Sequence, residues 1–122
     1  MQNVIITNIN NGFLLADKGR LANSFFTRLK GLLGKKSLPQ GFGLIIQPCN
    51  MVHSIGMKMA IDVLFVSPAE EIIYIIEAMP PNRISPYIHN AGYVIELPTG
   101  QVQKTATAVG NTISISQGAN YI

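Results

Sequence analysis

Tryptophan is missing from this 122-residue chain, cysteine occurs once, and only 12% of the residues are charged. A lone cysteine, Cys49, excludes an internal disulfide and fits a reducing compartment. One cysteine and two histidines, with no H-E-x-x-H, argue against a zinc site. No apolar run approaches the roughly 18 residues of a membrane span. The opening residues, MQNVIITNIN, show neither a basic n-region nor a long apolar h-region, so the expectation is a cytoplasmic protein without a signal peptide or membrane contact. Like charges never run to a block of five, and aromatic residues do not interleave with basic ones as base-stacking platforms require, which argues against nucleic acid. Gly31, Gly34, Gly41 and Gly43 stand near Lys35 and Lys36, but G-x-x-x-x-G-K-[ST] is absent and no strand leads into them, so they make no phosphate loop. No cofactor is expected.

Apolar residues make up 48% of the chain, the opposite of a disordered composition. The length suits one domain with its own core. Net charge is +3 but unevenly spread. Residues 1–61 hold seven basic residues and Asp17 alone, or +6; residues 62–122 hold two basic and five acidic residues, or −3. Such asymmetry fits either a basic face for an anionic partner or an ordinary solvated face, and the absence of charge blocks favours the second.

Segments 3–8 and 12–16 read as strands joined at Asn10-Asn11-Gly12, where Asn-Gly favours a type I′ hairpin turn. Leu21, Ala22, Phe25, Phe26, Leu29, Leu32 and Leu33 recur at helical spacing and predict one main helix. Loop residues 35–43 follow. Strands are expected at 44–47, 61–66, 71–76 and 93–97, the second and third pairing across Ser67–Glu70. Their apolar faces on both sides suit central strands. Three prolines keep 79–91 irregular, and an irregular stretch of that length is usually functional or a cover. Thr99 is placed to cap a short helix reaching about Ala106. Residues 112–116 alternate strictly, as a half-buried edge strand does. The expected fold is α+β: a compact, largely antiparallel, barrel-like sheet of about six or seven strands with one main and one short helix, in a single domain over 1–122.

This order of motifs resembles the prokaryotic family known as domain of unknown function 192, over about residues 21–115. The matching pieces are Leu21-Ala22, R-x-x-G-L-L at 28–33, G-F-G-L-I-I at 41–46, H-S-I-G-M-K at 53–58, I-D-V-L-F at 61–65, a proline-and-arginine loop at 80–83, V-I-E-L at 94–97 before Gly100, and Gly110-Asn111. The family more often has methionine at positions 33 and 44, threonine after the histidine, and Gly-Asp for Gly110-Asn111. The resemblance implies a compact α+β fold and no established activity.

Polar groups cluster between Cys49 and Asp62. If Asp62 met His53, the carboxylate would fix the imidazole tautomer and raise its basicity, as a general base or a binding donor needs. The alternative is a partly buried histidine satisfied by backbone, and most buried polar groups are of that kind. Cys49 and His53 have C-x3-H spacing, but an inert thiol is the better reading. His89 reads as a surface residue. Arg28 borders the apolar helix face, where it either pairs with a buried carboxylate, Asp62 or Glu96, or grips an anionic ligand. Met51, Met57, Met59 and Met79 either fill the core or line an adaptable surface. The candidate pocket is Arg28, His53, Met57, Lys58, Asp62 and Arg83. The expected role is a non-enzymatic accessory module binding a small anionic ligand or a protein segment. The alternative is a hydrolase-type acid–base enzyme using His53 and Asp62, and a third possibility is a structural partner docking through the 112–116 edge.

Overall fold

A computed structural model describes residues 3–22 and 35–118. Seven strands make one sheet: β1 (Val4–Asn8), β2 (Leu14–Ala22), β3 (Phe42–Ile46), β4 (Ile61–Val66), β5 (Ile72–Met79), β6 (Tyr93–Pro98) and β7 (Ile113–Gln117). Their spatial order is β5-β4-β6-β3-β2-β1-β7. Every neighbouring pair is antiparallel except β2 and β3, which run parallel with Lys18 opposite Phe42. Among the described residues the helix content is one turn, α1 (Gln101–Lys104).

The β-branched run IDVLFV makes β4 a central strand, buried at all six positions. Its alternation feeds two cores. Leu64 and Val66 join Ile6, Leu15, Ile45, Ile72, Ile95, Leu97, Val102 and Ile113 on one face. Ile61, Val63 and Phe65 join Ala22, Leu44, Ile46, Val52, Met57, Met59, Met79 and Val94 on the other. Each such side chain, fully buried, contributes about 1.5–3 kcal/mol of transfer free energy. Phe65 also meets its cross-strand partner Tyr74 edge-on, with centroids 5.7 Å apart.

Residues from the two edge strands, Ile113 on β7 and Ile72 on β5, share the first core with Ile6 of β1. The sheet therefore curls into a half-barrel around it. The edges touch at one corner, where Glu71 bridges Thr112, Ile113 N–H donates to Glu70 C=O at 2.8 Å and Ile72 N–H to Asn111 C=O at 2.8 Å.

The strands and both expected hairpins stand near their predicted places, with several corrections. The expected main helix falls largely on residues 23–34, outside the described residues, but Leu21 and Ala22 are the last residues of β2. The first turn is left-handed at Gly12 alone (φ 78°), not a type I′ pair, and the Asn11 side chain holds it by accepting from Phe13 N–H at 2.9 Å. β5 is an edge strand rather than a central one, with Tyr74 and Glu77 exposed. α1 is not capped by Thr99: Gly100 is its N-cap residue, at φ 90° and with no side-chain cap bond. The cap comes from across the core, where Asp62 accepts Val102 N–H at 2.9 Å.

Candidate functional site

Two irregular segments, 49–60 and 80–91, cover the second core. They are stitched into a short ribbon that ordinary strand signals do not mark. His53 bridges Ile84 in antiparallel sense. Ser54 N–H donates to Arg83 C=O at 2.8 Å, Ser85 N–H to Val52 C=O at 2.8 Å, and Ile88 N–H to Asn50 C=O at 2.9 Å. Two serines pin the ribbon from beneath. Ser54 Oγ accepts Arg83 N–H at 2.9 Å and donates to Pro80 C=O at 2.6 Å, while Ser85 Oγ accepts Val52 N–H at 2.9 Å.

The ribbon alternates like a strand. Val52, Ser54 and Ser85 face inward and are buried. Met51 and Ile55 face outward, each 50% exposed, flanking half-buried His53. Ile84 beside them is 66% exposed and Tyr87 60%. Tyr87 lies against His89, with ring centroids 6.4 Å apart. Lys58 and Arg83 are exposed on the same two segments. Residues 49–61 and 78–95 contain no acidic residue.

His53 Nδ1 accepts the Ile55 N–H at 3.2 Å. A nitrogen that accepts carries no proton, so the neutral ring is protonated on Nε2.

Asp62 is 1% exposed and belongs elsewhere. Its Oδ1 accepts Ala78 N–H at 2.9 Å and its Oδ2 accepts Val102 N–H at 2.9 Å. Alternation along β4 turns it to the first core, opposite the ribbon. His53, Lys58 and Arg83 thus all fall on the two covering segments, the last two exposed, while Asp62 lies on the other face of the sheet. Met57, Met59 and Met79 are core residues, and among these methionines Met51 is the exposed one. Cys49 is half-buried, with Sγ 3.3 Å from Met51 C=O. Arg28 lies outside the described residues. Glu96 is fully buried on the second-core side of β6 and has an interaction partner.

The outward apolar residues Ile55, Ile84 and Tyr87 were not anticipated. Alternation is present at 51–55, but its chemistry is inverted: serine faces in, satisfied by backbone, and methionine and isoleucine face out. A pattern search that expects apolar residues inside cannot find it.

A curled, mixed seven-stranded sheet with loops laced over one face defines a small half-barrel domain. The chain belongs to the domain of unknown function 192 family, described as an uncharacterized ACR, whose model matches residues 7–115. It is 26% identical over 111 residues to the UPF0127 protein PF1050 of Pyrococcus furiosus, covering 87% of this chain and 93% of that protein. Two crystal structures share the fold. One, a Novosphingobium aromaticivorans protein of unknown function, has a TM-score of 0.76 at 18% identity, covering 91% of this chain and 82% of the other. The second, from Sinorhizobium meliloti and assigned provisionally as a transcription regulator, has a TM-score of 0.75 at 21% identity, covering 93% and 92%. Among the described residues no helix is long and apolar enough to cross a membrane.

Proposed function

We propose that this domain is a non-enzymatic binding module whose ribbon face takes an acidic segment of a partner protein that also carries apolar side chains. The observation that carries the reading is the outward row of Met51, Ile55, Ile84 and Tyr87, exposed on segments that also carry exposed Lys58 and Arg83 and no acidic residue. Exposed apolar side chains grouped on a pinned backbone are a usual mark of an interaction surface. The surrounding cations favour an acidic segment over a basic one and speed its encounter at low salt.

The acid–base enzyme reading loses its support. It needs His53 beside Asp62, and Asp62 spends its two oxygens on backbone N–H groups on the other face of β4.

The test is selection from a random peptide display library on immobilised protein, repeated with Ile84→Asp. Enrichment of acidic peptides with aliphatic or aromatic residues, abolished by Ile84→Asp and weakened by salt, is the expected result. Enrichment with no charge bias, or unaffected by Ile84→Asp, overturns the reading. Competition by inorganic phosphate at low millimolar concentration would instead assign the surface to a small anion.

A further inference from the structure

A second site opens at one end of the half-barrel, built from residues that the ribbon does not use. The ends of β1 and β3, the β4–β5 turn and the starts of β6 and β7 converge there around a cavity of about 590 Å³. Its walls include Ile9, Ile113 and Ile115, and its polar groups include Gln47, Glu70 and Tyr93. The Tyr93 hydroxyl donates to Glu70 Oε2 in a short hydrogen bond. Burial first, then the hydrogen bond to Glu70 and that carboxylate's charge, push the Tyr93 phenol above its ordinary range, so it remains a donor.

Two features make Glu70 unusual. Its backbone is left-handed, at φ 67°, a conformation that favours glycine or asparagine in such turns. The turn is held by Glu70 N–H donating to Ser67 C=O at 2.9 Å and by Ile113 N–H donating to Glu70 C=O at 2.8 Å. Backbone economy alone would place glycine there, so the side chain is what the position adds. In addition, no lysine, arginine or histidine among the described residues pairs with this carboxylate, whose side-chain partner is a neutral phenol. The result is a half-buried carboxylate beside a cavity of mixed polar and apolar lining, oriented by a tyrosine and with no counter-ion among the described residues.

We propose that the Glu70–Tyr93 cavity binds an organic ammonium group attached to a short aliphatic body. The carboxylate and the phenol oxygen receive the ammonium protons, and the three isoleucines cover the aliphatic part. A neutral alcohol of the same shape forgoes the charge, and a carboxylate is repelled. The ammonium belongs either to a free amine or to a lysine side chain of another protein.

The experiment is an NMR titration of the wild-type protein with n-butylammonium, 1-butanol and butyrate, followed by Glu70→Gln. Saturable shifts confined to residues around Tyr93, at least tenfold tighter for butylammonium than for butanol and butyrate, are expected, with a tenfold or larger loss in Glu70→Gln. Equal binding of the amine and the alcohol, no saturable shift, or full retention in Glu70→Gln overturns the proposal. The isostere comparison uses wild-type protein, so the outcome does not depend on the variant folding. An amide-capped lysine in a parallel titration separates the two sources: tighter binding than butylammonium assigns a protein lysine, and weaker binding a free amine.

Discussion

Asp62 on β4 holds Val102 in the first turn of α1 through a 2.9 Å hydrogen bond from 40 residues away in sequence. The other carboxylate oxygen takes the N–H of Ala78, which sits at φ 51° where β4 and β5 lose register. One buried side chain thus fixes a helix start and a strand irregularity together. Asp62→Ala leaves two N–H groups unanswered, and each costs about 1–3 kcal/mol. Asp62→Asn gives little rescue, because its amide nitrogen faces an N–H. Urea denaturation of both variants checks this, and near-wild-type midpoints would refute the structural role.

The serines beneath the ribbon predict the reverse of the surface residues above them. Ser54→Ala removes the acceptor of Arg83 N–H and the donor to Pro80 C=O. It should cost about 1–3 kcal/mol and speed amide exchange in 80–88. Ile84→Asp, at an exposed position, should change stability by no more than about 0.5 kcal/mol. Hydrogen-exchange mass spectrometry on the two variants separates pinning from presentation.

Gly43 lies where β2, β3 and β6 crowd the first core. An added Cβ would stand 2.9 Å from Ala16 Cβ and 3.1 Å from Ile6 Cδ1. Gly43→Ala is therefore expected to lose about 1–3 kcal/mol through overpacking, measured as a lowered thermal midpoint.

Tyr93 gives a pH dependence with a definite sign. Its phenol titrates higher in the folded protein than the roughly 10 of an unfolded chain. The folded state therefore holds that proton while the unfolded state releases it. The associated stability is fully present below about pH 10 and declines as pH rises beyond it. Wild type should lose more stability between pH 9 and 11 than Tyr93→Phe in paired urea titrations.

Arg28 was expected to serve Asp62, Glu96 or a ligand. With Asp62 committed to backbone, the remaining expectation of a protein partner is Glu96. A double-mutant cycle with Arg28→Ala and Glu96→Gln should give a coupling of about 1 kcal/mol or more. Additive effects would point Arg28 away from Glu96.

Much of the sheet was legible because β4 and β6 are short β-branched runs bounded by turn residues. The Ser67–Glu70 and Asn10–Gly12 turns carry their own local chemistry. The extent of β2 was not, because Leu21 and Ala22 fit a helical stripe and a strand end equally well, and pairing with β3 decides between them. The capping of α1 was hidden for a related reason: Thr99 is the right residue type next door, but Asp62 arrives only after the sheet has folded. Of the candidate residues, His53, Lys58 and Arg83 fall on the two covering segments, while Asp62, near His53 in sequence, is turned by strand alternation to the opposite face. Glu70 drew no notice, because a glutamate in a turn looks like surface charge until its backbone conformation is seen.

The pairing of β1 with β7 has a consequence for biosynthesis. Val4 lies opposite Gln117 and Asn8 opposite Ile113, so the strand made first has a neighbour made more than a hundred residues later. During translation β1 and β2 can form their hairpin, yet one side of β1 stays unpaired until the last strand leaves the ribosome. For most of the time needed to make the domain, that strand offers an open edge to other nascent chains. Early folding is thus a matter of shielding that edge as much as of stability.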